Sequence, residues 1–285
     1  MSNETVLVAT KIGNKMYVYP RDYIGRKIIE DGIYEEKELN LLNAILSALR
    51  PRNLLDVGAN IGNHSLAWAR VCAHIYSFEP GIKAYALLAD NIKINNLGEQ
   101  ISAFNFGLSS QNAVLPLYVN NSGNLGASSL HSQVKSSTAE MISLKVGDQV
   151  LADLDAKNID FMKIDVEGHE KDVLLGLDST IKENRPVVFI EWGRVNDSEN
   201  WVANEAFMAT IFPGYERYAL IWNTSRIYWH KKSFGRIRRL LIRLFRTKDF
   251  VLRLFTTVPP EDSRGNLLLV PKEKNHVLSG VTIFH

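Results

Sequence analysis

From Asn53 to Trp192 the chain repeats one unit: a short apolar strand, a turn and a helix. NLLDVG leads into NHSLAWARV, HIYSFEP into a helix over Lys83–Ile94, and IDFMKID into HEKDVLLGL, while PVVFIEW supplies a fifth strand. ISAFNFG and VLPLYV read as a third strand with an extra one beside it. Such alternation predicts an α/β fold, a parallel sheet with helices on both faces. Right-handed crossovers then leave few topologies.

The flanks read differently. Residues 1–34 form a β-rich prelude, with VLVA and KMYVYP on either side of the turn Ile12-Gly13-Asn14. Leu39, Leu42, Ile45, Leu46 and Leu49 recur at helical spacing, so a helix is predicted from Glu35 to Arg50, stopped by Pro51. Beyond Trp192 come a helix near Glu199–Phe212 and a strand pair, YERYALIW and NLLLVPK. The chain divides into a prelude (1–34), a core (35–230), and a basic segment with an edge strand (231–285).

Composition narrows the function classes. With 285 residues the chain can bury a large core unaided. A net charge of +2 gives no overall field of the kind nucleic-acid binders carry. The single cysteine, Cys72, rules out an intrachain disulfide and a cysteine-cluster zinc site. No secretory signal and no apolar run of spanning length is visible, so a soluble, cytoplasmic protein is expected.

The turn in LLDVGANIGNHSL (residues 54–66) is the first candidate site. Open α/β sheets bind ligands beyond the carboxyl ends of their strands. A dinucleotide fingerprint reads G-x-G-x-x-G, whereas here Asn60 stands between Gly58 and Gly62, and Asp56 beside the loop would repel a pyrophosphate. The pattern suits a nucleoside carrying positive charge, and S-adenosylmethionine, with its sulfonium and ammonium, fits. Glu79 ends the second strand, 23 residues after Asp56, where an acid can accept ribose hydroxyls.

The second candidate site follows the fourth strand, which adjoins the first. Lys163, Asp165, Glu167 and His169 cluster there. Carboxylates and imidazole can take the proton of a hydroxyl as it attacks a methyl carbon; His169 is the first choice of base and Asp165 the second. Asp165, Glu167 and His169 could instead hold a divalent cation, though none is expected. Glu170 and Asp172 read as a solvated helix face.

Taken together, LLDVGANIGNHSL, SFEP, NFGLS, GASSL, MKIDVEGHEKDVLLGL and VFIEW resemble the FkbM family of S-adenosylmethionine-dependent methyltransferases over about Gly32–Trp192, with an echo in NLLLVPK. The resemblance implies the class I methyltransferase fold, a Rossmann-like seven-stranded sheet with one antiparallel strand near its edge. It also implies O-methylation of a sugar, glycan or natural-product hydroxyl. Carried over, Asp56, Gly58, Asn60, Gly62 and Asn63 should line the methionine part of the cofactor and Glu79 its ribose, with Asp165 also facing the cofactor. Asn105, Phe106 and Leu108 should lie near the adenine, and Tyr34 and Glu35 should close over the cofactor. Ser128, Ser129 and Glu191 fall on the acceptor side.

The resemblance leaves KKSFGRIRRLLIRLFRTK (231–248) unexplained. Lys231, Lys232, Arg236, Arg238, Arg239, Arg243, Arg246 and Lys248 are uninterrupted by acids, and Phe234, Ile237, Leu241, Leu244 and Phe245 recur at helical spacing. Such a helix could lie on an anionic membrane at the inner face, dock on the domain as an ordinary surface helix, or meet an acidic acceptor. Two other readings stay open at this level: a cofactor-binding scaffold without turnover, and an NAD-dependent oxidoreductase, the latter disfavoured by Asn60.

Overall fold

The computed structural model describes residues 4–120, 128, 130, 137–192, 204–222, 250–254, 265–281 and 283–284. The basic run 231–248 and Ser129 lie outside the described residues.

The chain opens with a hairpin of β1 (Val6–Ala9) and β2 (Lys15–Val18), then α1 (Tyr23–Asp31). The prelude is therefore not β-rich throughout. The Asp22 carboxylate accepts the Ile24 and Gly25 N–H groups at 3.0 and 3.3 Å, an N-cap that starts a helix. Next come α2 (Glu36–Leu49), β3 (Asn53–Val57), α3 (Asn63–Trp68), β4 (His74–Phe78), α4 (Ile82–Ile94) and β5 (Ile101–Phe104). Then β6 (Gly107–Ser109), β7 (Ala113–Asn120), β8 (Ser137–Val146), α5 (Gly147–Asp153), β9 (Ile159–Ile164), α6 (Glu170–Gly176), α7 (Asp178–Asn184) and β10 (Val187–Trp192) lead to α8 (Glu205–Ile211). The described chain ends with β11 (Tyr215–Trp222), β12 (Phe250–Leu254), β13 (Gly265–Pro271), a 3-10 helix (Lys272–Leu278) and β14 (Ile283–Phe284).

The main sheet has the order β14-β12-β11-β13-β10-β9-β3-β4-β5. Its inner seven strands, from β5 to β11, run parallel except β13, which lies antiparallel between β10 and β11. That is the class I methyltransferase arrangement, and β12 and β14 extend it at one edge. Strand β9 adjoins β3, so the two candidate turns leave neighbouring strands at one rim.

Side-chain alternation along the strands separates two cores. Leu54, Phe161, Phe189 and Leu268 pack with Leu42, Trp68 and Leu88 of α2, α3 and α4 on one face. Leu55, Met162, Val188 and Leu267 pack with Val150, Val173, Ile181 and Met208 of α5 to α8 on the other.

VLPLYV does not extend the main sheet beside the third strand. As β7 it pairs antiparallel with β8, which pairs parallel with β6, forming a separate three-stranded sheet. Strand β8 has no counterpart in the sequence reading. Its apolar side chains Ile142 and Leu144 form a small cluster with Leu117, off the main sheet.

Candidate active site

Two adjoining clefts open at the carboxyl ends of β3, β4 and β9, and Gly58, Asn60, Asp165 and Glu167 line both. The first holds about 990 Å³ of empty space, its open mouth included. Its walls include Phe78, Leu108, Leu117, Ile142 and Leu144, with Glu79 and His169 among its polar groups. The second is polar, bounded by Tyr34, Glu35, Asn63, His64, Lys163 and Glu191.

Glu79 is 9% exposed, and its two oxygens accept one backbone N–H each, from Asn60 at 2.9 Å and Gly81 at 2.8 Å. It therefore ties together the turns after β3 and β4. A carboxylate oxygen has more than one lone pair, so both can still accept a ligand hydroxyl. Burial, partly offset by the two N–H groups, pushes its pKa up to about 7.

Gly58 has φ +81°, and a Cβ there would stand 1.8 Å from the Asp165 carbonyl oxygen. The glycine lets the two turns touch each other, as well as leaving backbone open to the cleft. Asn60 also takes a positive φ, +51°. Its Oδ1 is buried with no hydrogen-bond partner among the described residues.

Asp56 does not line either cleft. It is fully buried beneath the turn, where it accepts from Ser65 Oγ at 2.5 Å and stands 3.7 Å from Lys163 Nζ. Lys163, 4% exposed, also reaches Asp165 at 3.2 Å and donates to the Gly58 carbonyl at 3.2 Å. Burial alone would lower its pKa, but Asp165, Asp56 and Glu35 outweigh burial and hold it up. Lys163 thus stays charged and is a poor proton acceptor. For Asp165, burial is outweighed by Lys163 and a hydrogen bond with Glu191, which hold the carboxyl below its ordinary range. That makes it a weak base and a permanent anion.

Around this pair the acids exceed the cations. Burial, reinforced by Asp165, pushes Glu35 up, and burial with Glu35 pushes Glu38 up to about 9. His64 is driven down to about 3 by burial and Lys163, so it is neutral. Its buried Nε2 is 3.5 Å from Glu35 and makes no hydrogen bond among the described residues. Asn63 donates to the Tyr34 carbonyl at 3.3 Å, linking the turn to the start of α2.

His169 lines the first cleft at the N-cap of α6, its Nε2 3.0 Å from Ser109 Oγ and its Nδ1 3.7 Å from Asp172. Glu170 is not solvated. It is 5% exposed and accepts from Gly168 N–H at 3.0 Å and Val166 N–H at 3.4 Å, bracing the turn that presents Glu167. Asp172 accepts from Ser110 Oγ at 2.7 Å.

Of the residues expected near the adenine, only Leu108 lines a cleft. Asn105 donates to the carbonyls of Glu79 and Pro80, and Phe106 packs on Phe78 and Phe104. Gly62 sits behind the turn against Leu66 and Leu88. Ser128 lines the first cleft and Glu191 the second. Among the described residues no three or more His, Cys, Asp or Glu side chains group as metal ligands, so Asp165, Glu167 and His169 do not form such a set. The sequence reading missed His64, which lines the second cleft, and Glu140, which lines the first. His64 stands next to the marked turn, and Glu140 falls in an alternating stretch that marks a strand.

The chain is 31% identical to "Methyltransferase sdnD" of Sordaria araneosa, the match covering 44% of this chain and 60% of that protein. It is 28% identical to "Hexuronic acid methyltransferase AglP" of Haloferax volcanii, covering 55% of this chain and 63% of that protein. The chain thus spans about three-fifths of the length of each relative. The crystal structure of a methyltransferase FkbM from Methylobacillus flagellatus KT aligns with a TM-score of 0.44 and 16% identity, covering 73% of this chain and 60% of that one. The model of the methyltransferase FkbM domain matches residues 56–251, so the chain belongs to the FkbM methyltransferase family.

Proposed function

We propose that this protein is an S-adenosylmethionine-dependent O-methyltransferase whose acceptor is a hydroxyl of a sugar, glycan or natural product. The observation that carries the reading is the junction of the two clefts. An apolar cleft with a buried carboxylate, Glu79, suits a nucleoside, and the adjoining acid-rich cleft suits its positive charges. Asn60 Oδ1, without a hydrogen-bond partner among the described residues, and the ionised Asp165 lie where the clefts meet, and both can accept from an ammonium. A pyrophosphate would face Glu79, Glu35, Asp165 and Glu191 instead.

When bound, the cofactor supplies an electrophilic methyl carbon on a sulfonium. Glu79 would hold its ribose, and Asn60 with Asp165 its amino group. Positioning of the acceptor oxygen is the protein's main contribution to such a displacement. Among the described residues His169 is the imidazole of the first cleft, and we assign it the acceptor's proton at Nε2, in place of the Ser109 contact. Asp172 at Nδ1 would steady the cation that results. Ser128, which lines the first cleft with His169, is assigned to the acceptor side, whereas Glu191, in the acid-rich second cleft, is assigned to the cofactor's charged groups instead. The name of one relative, a hexuronic acid methyltransferase, supports a hydroxylated, sugar-type acceptor.

Calorimetry with S-adenosylmethionine, S-adenosylhomocysteine and NAD tests the cofactor. Preference for NAD would end this reading. Mass-detected methyl incorporation across nucleotide sugars, glycans and polyketide alcohols then tests the acceptor class.

A further inference from the structure

The three-stranded sheet of β6, β7 and β8 stands apart from the main sheet, yet its inner face forms one wall of the first cleft through Leu117, Ile142 and Leu144. Glu140, on β8, joins that wall. Its Oε1 accepts the Ile82 N–H at 3.0 Å, which fastens the antiparallel β7–β8 hairpin to the start of α4. Among the described residues its Oε2 has no hydrogen-bond partner.

Glu140 also approaches Glu79. A Cβ placed on Gly81 would lie 2.9 Å from Glu79 Oε1 and 3.5 Å from Glu140 Oε1, so both carboxylates close on one point beside the cleft floor. Two carboxylates closing on one point match a vicinal diol, whose adjacent hydroxyls each need one acceptor at about 2.7 Å. Asn105 cannot take this part, because its amide is spent on the Glu79 and Pro80 carbonyls.

We propose that Glu140 is a second ribose-binding residue, taking one hydroxyl of the cofactor's ribose from the hairpin wall while Glu79 takes the other from the sheet. The proposal rests on the nucleoside assignment above. It makes the hairpin part of the cofactor site, so the β6–β8 sheet clamps the ribose.

The test is calorimetry of full-length protein with S-adenosylhomocysteine and its 2′-deoxy and 3′-deoxy analogues. Glu140→Ala should weaken S-adenosylhomocysteine about tenfold, the worth of one hydrogen bond to a charged acceptor. Against the analogue lacking the hydroxyl that Glu140 holds, the same substitution should cost nothing. Glu140→Gln keeps an acceptor for Ile82 N–H and removes the charge; it should show a smaller loss with the same dependence on that hydroxyl, and it serves if the alanine variant fails to fold. An equal loss on all three ligands would reduce Glu140 to a hairpin fastener and overturn the proposal, as would no loss on any. Failure of the unaltered protein to bind S-adenosylhomocysteine would instead strike the cofactor reading itself.

Discussion

Lys163 and Asp56 are register partners on adjacent parallel strands, with Nζ 3.7 Å from Oδ1 and neither side chain appreciably exposed. Ser77 continues the row on the next strand, and Ser65 closes it from α3. This buried polar row underlies both clefts: Lys163 reaches up to Asp165 and the Gly58 carbonyl and holds the two turns in place.

Removing the cation should therefore damage folding before it damages chemistry. Lys163→Met leaves Asp56 and Asp165 without their counter-charge, and breaking a buried pair from one side costs about 3–5 kcal/mol. Thermal or urea denaturation measures it. A variant as stable as the parent would show that the row is not what holds the turns.

Gly58→Ala meets two obstacles, the left-handed backbone and the Asp165 carbonyl. Left-handed strain alone is on the order of 1–3 kcal/mol, and the clash forces the turns apart. The expected result is lower stability together with loss of S-adenosylhomocysteine binding. Normal binding by this variant would contradict the contact between turns.

Glu79→Ala should weaken cofactor binding by about 1.5–3 kcal/mol through the lost ribose acceptor. It should also loosen the turns at Asn60 and Gly81, whose N–H groups lose their partner. Calorimetry separates the first effect from the second when run beside a melting curve.

Acidity should move stability and affinity in opposite directions. Glu79 and Glu170 are both pushed up to about 7 by burial, so the folded state binds more protons than the unfolded state between the ordinary carboxylate pKa of 4.5 and pH 7. The unliganded protein should then gain stability as pH falls through that window, by up to about 1.4 kcal/mol per unit for each group. Cofactor affinity should fall over the same range, because the ionised carboxylate is the stronger acceptor. Glu79→Gln should flatten the stability slope by one group's share. Melting curves at pH 5, 6 and 7 in constant salt measure it.

His169→Ala should leave cofactor affinity nearly intact and slow methyl transfer by about 10²–10⁴-fold, the range of a positioned base. An unchanged rate would acquit His169. Asp165 is then no substitute, being held ionised by Lys163.

Most of the architecture was legible in the linear chain, because strand and helix periodicities are local. Asn53–Val57, His74–Phe78 and Ile159–Ile164 announce themselves as apolar runs ending at turns, and parallel pairing with crossovers follows from their alternation with helices. The position of Glu79 directly after a strand was legible too, being a matter of sequence position. What position along the chain cannot specify is which neighbour a polar side chain meets. Asp56 looked like a cleft residue and became the buried partner of Lys163; Glu170 looked solvated and became a brace for its own turn; Asn105 was spent on backbone carbonyls. VLPLYV was recognised as a strand, yet its partner is β8, not the main sheet. Each of these outcomes depends on groups far apart in the chain being desolvated together. Burial makes an unpartnered charge or carbonyl costly, so the packed structure decides which polar groups pair beneath the surface and which stay open to a ligand.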